Sequence, residues 1–235
     1  MKEQHGFTLV ETVISIAVGM VIVLVIYAAV NVGQKSSVSI ERKIAAHQDV
    51  RAALELMALE IQMASFNPIY ATNIWMTPSG DCNVTSGNQG YRGIQAATDS
   101  SITVEEDVNE NGGVARILVG GDNINPNEII TYTFDAANQY ITRETSCGGS
   151  QPFLGDNPTT GKPRAVRVIN TTAVPVFQYF DAQGNQITSL PAGIPNIARI
   201  DITLWVETED VDANLKQRRR TIYSTSVIPR NHAID

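Results

Sequence analysis

Few residues in this chain combine types and spacing suited to chemistry. Among residues 7–32 only Glu11 is charged, and the rest of that run is mostly apolar. A carboxylate there is costly without a partner, so it either reaches a headgroup layer or meets a cation. Asp107, Asn109 and Asn111 place oxygen donors at alternate positions and are followed by Gly112. That is how a calcium loop begins. The twelfth position is Leu118 rather than Glu, so the segment is not an EF-hand. Glu128, at the start of the next predicted strand, is the carboxylate expected to complete the set. With two carboxylates the expected affinity lies in the roughly 10⁻⁴–10⁻³ M range of extracellular modules. The alternative is an ordinary Asn/Gly turn.

Catalytic patterns find little support. His5, His47 and His232 are scattered, and no G-x-S-x-G, H-E-x-x-H or C-x-x-C occurs. Thr160-Gly161-Lys162-Pro163 shares the end of a P-loop but lacks the upstream glycine and the Ser/Thr, so it reads as a turn. The expectation is a protein that is not an enzyme. Lys216-Gln217-Arg218-Arg219-Arg220 is a basic run that could touch DNA or pair with Glu207, Glu209, Asp210 and Asp212. The net charge of −7 favours ion pairing over a nucleic-acid partner.

The elements that position these groups begin with residues 7–32. Their 26 residues are long enough as a helix to cross a hydrocarbon core of about 30 Å. A secretory signal would have a shorter apolar run followed by an A-x-A site. Here the polar-to-apolar break falls at Gly6-Phe7, so a cut there leaves the helix in the product.

Gly6-Phe7-Thr8-Leu9-Val10-Glu11, followed by the apolar run, resembles the type III signal of type IV pilins and type II secretion pseudopilins. The resemblance implies cleavage after Gly6 by prepilin peptidase and N-methylation of Phe7. It also implies that Glu11 meets the N-terminal amine of a neighbouring subunit. Pairing offsets much of the cost of burying either charge alone.

Before the helix Lys2 is the one full positive charge, and it weakly supports a cytoplasmic N-terminus in an inner membrane. The remainder would be periplasmic, and at the cell surface after assembly. That compartment permits a disulfide between Cys82 and Cys147.

The helix is expected to continue to Phe66, with a stripe of Ile40, Ile44, Val50, Leu54, Met57, Ile61 and Ala64, and to end at Asn67-Pro68. His47 fills a gap in that stripe and reads as a core-edge residue. Residues 67–101 read as an irregular connection, with short pieces of structure around Ile74-Trp75 and Tyr91. Two-residue alternation predicts strands over residues 102–105, 115–119, 128–134, 139–145, 164–169, 176–180, 197–208 and 220–228. Turn chemistry at residues 135–138 and 181–185 predicts hairpins, and residues 147–163 read as loop. The predicted class is α+β, a long helix packed on a mostly antiparallel sheet. The predicted parts are a leader (1–6), a transmembrane half-helix (7–32), an amphipathic half (33–66), the connection (67–101) and a β-rich head (102–235).

Residues 49–54 with 60–66, the alternating run 197–208, Arg218-Arg219-Arg220, Val227-Ile228-Pro229-Arg230-Asn231, and Phe177-Gln178-Tyr179-Phe180-Asp181 with Gly184 resemble PilW-like minor pilins. That resemblance implies a subunit that primes or caps a type IV pilus, with the other minor pilins and the major pilin as partners. J-type minor pseudopilins of type II secretion share the outline, and an adhesive tip subunit is a further alternative.

Overall fold

The computed structural model describes residues 8–72, 74–75, 91–114, 118–119, 122–123, 127–146, 148–155, 166–209, 211 and 216–232. The chain divides into two units, residues 1–44 and 45–235. One helix, α1 (Leu9–Gln62), supplies the described part of the first unit and opens the second.

In the first unit every large apolar side chain from Leu9 to Val32 is at least half exposed. Ile40 and Ile44, expected in the core stripe, are also half exposed. The buried stripe begins instead at Ala46 and runs through Val50, Ala53, Leu54, Met57 and Ile61 to Ala64. These positions recur at steps of three and four, the period that keeps side chains on one helix face. His47 lies beside the stripe, and its ring nitrogen hydrogen-bonds to the Tyr223 hydroxyl.

The sheet elements are β1 (Ile94–Ala97), β2 (Ser101–Glu105), β3 (Leu118–Val119), β4 (Asp122–Asn123), β5 (Ile129–Asp135), β6 (Tyr140–Thr145), β7 (Gln151–Leu154), β8 (Val166–Val168), β9 (Phe177–Phe180), β10 (Arg199–Thr208) and β11 (Arg220–Val227). Among the described residues they form an antiparallel sheet of order β1-β2-β5-β6-β7 and a second one centred on β10. In the second, β11 lies along one side of β10, β8 pairs with residues 206–208 and β9 with residues 199–202. β3 and β4 make a separate two-stranded ribbon.

The helix stripe and both large sheets share one core. Ile102 and Val104 of β2, Ile130 and Tyr132 of β5, Phe177 and Tyr179 of β9, and Ile200, Ile202, Leu204 and Val206 of β10 all close on it. Burial of each such side chain contributes about 1.5–3 kcal/mol. The Tyr179 hydroxyl donates to the Thr98 carbonyl at 2.8 Å, tying β9 to the β1–β2 turn.

The helix end and three strands depart most from the sequence expectation. The helix stops at Gln62, because Ser65 adopts φ 69° and its N–H donates to the Glu105 carbonyl at 2.9 Å. Backbone pairing with β2 therefore ends the helix before Asn67-Pro68 can. Gly93 allows this crossing, since a Cβ there would lie 2.5 Å from the Ser65 Cα. Within the expected connection, β1 is a true strand, and its Ala96-Ala97 end shows no alternation to announce it. The expected loop after Cys147 contains β7, whose Pro152 opposes Thr142 on an edge, where a missing donor is tolerated. The short β4 was not foreseen.

His232, fully buried, holds the C-terminal segment. Its Nε2–H donates to the Ile194 carbonyl at 2.7 Å, while Nδ1 lies 3.1 Å from the Ser65 hydroxyl and 2.8 Å from the Arg92 carbonyl. Burial holds the imidazole below its ordinary value, reinforced by the Arg92 charge and opposed by the two carbonyls. The unfolded chain binds this proton near pH 6.5 and the fold resists it, so His232 costs stability as pH falls below about 6.5. The melting difference between wild type and His232→Gln should be constant above about pH 7 and shrink toward pH 5. A difference that does not vary with pH would contradict this account.

Candidate functional site

Two places on the described chain bear on function. The first is the start of α1. The Thr8 N–H and hydroxyl both donate to Glu11 Oε2, at 3.0 and 2.9 Å, and the Glu11 N–H donates back to the Thr8 hydroxyl at 3.3 Å. This is a reciprocal capping box, with Thr8 at the cap and Glu11 three residues on. The T-x-x-E signature is visible in the sequence and could have been read there. Glu11 thus has a partner within its own chain. Beyond it, and among the described residues, Leu9–Gln62 is the helix long and apolar enough to cross a membrane.

The second place is the turn that follows β2, before β3. Asp107 sits fully buried just past β2, and its N–H donates to the Phe66 carbonyl at 2.8 Å. Its Oδ1 accepts the Asn111 N–H at 3.1 Å and its Oδ2 the Gly112 N–H at 3.0 Å. Asn109 Oδ1 accepts from the Asn111 N–H and Asn111 Oδ1 from the Gly113 N–H, each at 3.0 Å. Gly112, at φ +79°, makes this curl possible, and its open α-carbon faces Ile69 and Ala71. Glu128 reaches the loop with its Oε1, which accepts the Asn109 N–H at 3.1 Å. Burial, with the Asp107 charge adding, pushes the Glu128 carboxyl up to about 7 despite that hydrogen bond. Beneath the loop, Val114 and Ile129 pack with Ile74 and Trp75 in a second small core.

Glu60 of α1 lies beside the buried stripe. It accepts from Arg143 Nη2 at 2.6 Å and Nε at 3.0 Å, and from the Tyr132 hydroxyl. The bidentate pair clamps helix to sheet. Glu106, nearby, is pushed up to about 7 by burial, with Glu60 and Glu128 adding and Arg143 opposing.

The basic run enters β11 as ion pairs. Arg220 Nε lies 3.0 Å from Glu207 Oε1, Arg218 Nε donates to the Glu209 carbonyl at 3.0 Å, and Glu209 also pairs with Arg167. Of the groups named from sequence, Gly6, Phe7, Cys82, Cys147, Asp210, Asp212 and the 160–163 turn lie outside the described residues. Glu11 lies in the first unit and the 107–113 loop in the second.

Residues 1–27 match the family model described as the prokaryotic N-terminal methylation motif. The match spans Gly6, Phe7 and Glu11 and reaches well into the exposed apolar part of α1. No curated protein and no solved structure matches the chain.

Proposed function

We propose that this chain is a minor subunit of a type IV pilus, of the PilW kind, that primes or caps fibre assembly. The observation that carries the reading is the methylation motif running straight into an apolar helix whose first turn contains one carboxylate. On this reading prepilin peptidase cleaves between Gly6 and Phe7, Phe7 is methylated, α1 anchors the chain in the inner membrane and the head faces the periplasm. The other minor pilins and the major pilin are its partners. Deleting the gene should abolish or reduce piliation and spare protein secretion. Loss of secretion with normal pili would assign the chain to a type II pseudopilus instead.

Intact-mass and N-terminal analysis of the membrane-extracted protein should show Phe7 first and methylated. A mature chain that starts beyond Val32 would overturn the proposal.

Glu11 has two possible jobs, the helix cap and docking to a neighbour's amine, and Thr8 separates them. Thr8→Ala should cost about 1 kcal/mol of local helix stability through the lost cap and reduce fibre incorporation only modestly, because the Glu11 charge remains. Glu11→Ala should lose the same cap and also most incorporation, with processing and membrane insertion preserved. Equal incorporation of the two variants would reduce Glu11 to a capping residue.

In an exported head Cys82 and Cys147 are proposed to pair. The bridge would close a loop of about 66 residues and contribute roughly 4 kcal/mol in the chain-entropy model. Thiol labelling of denatured, non-reduced protein should find neither cysteine reactive. Two labelled thiols would refute the bridge.

A further inference from the structure

We propose that Glu106 and Glu128 form a proton-binding pair, so that the seam between the end of α1 and the first sheet holds more tightly in mild acid than in base. The proposal stands on packing within the head and does not depend on the pilin reading. β2 and β5 pair in register from Ser101↔Thr133 to Glu105↔Ile129. One step further, the Glu106 N–H donates to the Glu128 carbonyl at 2.9 Å, which sets the two glutamates opposite each other. Val104, Ile130 and Tyr132 face the core from the same two strands, and by alternation Glu106 and Glu128 extend that face. Like charges opposed across an antiparallel pair repel. The pair sits where the helix end joins the sheet. On either side of Glu106, the Ser65 N–H donates to the Glu105 carbonyl and the Asp107 N–H to the Phe66 carbonyl.

Glu106 is 5% exposed and Glu128 fully buried, and the Oε2 atom of each has no hydrogen-bond partner. A buried carboxylate with a bare oxygen is costly when ionised, and a proton removes most of that cost. Burial is thus the main force on both groups, and neighbouring charges add to it. Glu60 of α1 repels Glu106, Asp107 of the turn repels Glu128, and Arg143 of β6 opposes them at Glu106. Arg143 is already engaged by Glu60, at 2.6 and 3.0 Å, and the Tyr132 hydroxyl also donates to Glu60. The Asn109 and Val108 N–H groups favour the charged form of Glu128 and only partly offset its burial. In the unfolded chain both carboxyls release their protons near pH 4.5, whereas the fold holds them to about pH 7. The fold therefore loses stability as pH rises from about 5 to 7, and above about 7.5 the loss is complete. His232 acts in the opposite sense, costing stability as pH falls.

The test uses the full-length chain in detergent micelles with chelator, unfolded in urea at a series of pH values. Glu106→Gln and Glu128→Gln keep the side-chain shape and remove the charge. The unfolding constant of wild type relative to the double variant should rise about tenfold per pH unit, for each proton bound, between about pH 5 and 7. It should level off above that window. Taking the ratio at each pH cancels His232 and every other group the two chains share. Each single variant should remove part of the rise. Infrared difference spectra of the wild type between about pH 6 and 8 should show the carbonyl stretch of a protonated carboxyl on the acid side, absent from the double variant. The wild-type spectrum tests the pair even if a variant fails to fold. A ratio that does not change with pH would overturn the pair. So would a wild type without the protonated-carboxyl signal at about pH 6, or a double variant less stable than wild type at about pH 8.

Discussion

The second unit depends on one constraint: two antiparallel sheets turn apolar faces inward, and the stripe of α1 must fill the space they share. Met57 and Ile61 are completely buried, Val50 nearly so, and they sit in the same cluster as Ile102, Tyr132, Phe177 and Ile202. Neither sheet can bury its inner face alone, because a half-buried antiparallel sheet needs a partner layer. The amphipathic half of the helix is therefore a third layer of the head. Small residues at Ala46, Ala53 and Ala64 are interspersed along the stripe with the large ones.

Polar groups fix the register that apolar packing leaves open. The Glu60 carboxylate receives Arg143 and Tyr132 and sets the rotation of the helix against β5 and β6. Asn170, buried, donates to the Val174 and Thr203 carbonyls and accepts the Trp205 N–H, so it meets all the demand around it and pins the β8–β9 connection to β10. His232 binds the C-terminal segment to the helix end and to the turn at Ile194. These contacts join residues far apart in sequence, and hydrophobic contact alone would tolerate slippage between them.

The legibility of the chain follows from where its information lies. β10 was plain because Ile200, Ile202, Leu204 and Val206 alternate with half-exposed residues, and the structure buries those four. The Asp135–Asn138 turn was plain because Asp135 accepts the N–H groups of Ala137 and Asn138 locally. β1 and β7 were not, since Ile94–Ala97 ends in two alanines and Gln151–Leu154 carries a proline, so only their neighbours make them strands. The helix end was misplaced because the signal at Pro68 is local, whereas the Ser65–Glu105 hydrogen bond is not. At the loop, the polar turn residues Asp107, Asn109 and Asn111 were legible from spacing. The burial of Glu128 was not, because burial depends on tertiary packing that spacing does not encode.

The start of α1 poses a different physical question, because its apolar side chains find no partner within the first unit. That surface is compatible with hydrocarbon and costly in water. Glu11 is the exception that must be reconciled with it. In the isolated chain Thr8 supplies two donors to one carboxylate oxygen, which lessens the cost of placing a charge beside an apolar run. A capped carboxylate still has oxygen lone pairs for a cation, so capping and docking can coexist on one side chain. The cap orients the carboxylate by fixing it against the first turn, and an oriented carboxylate loses less entropy when a neighbour's ammonium arrives. In the proposed fibre Thr8 is thus a positioning residue for Glu11, and its helix-capping chemistry is what keeps the charge ready while the subunit is still alone.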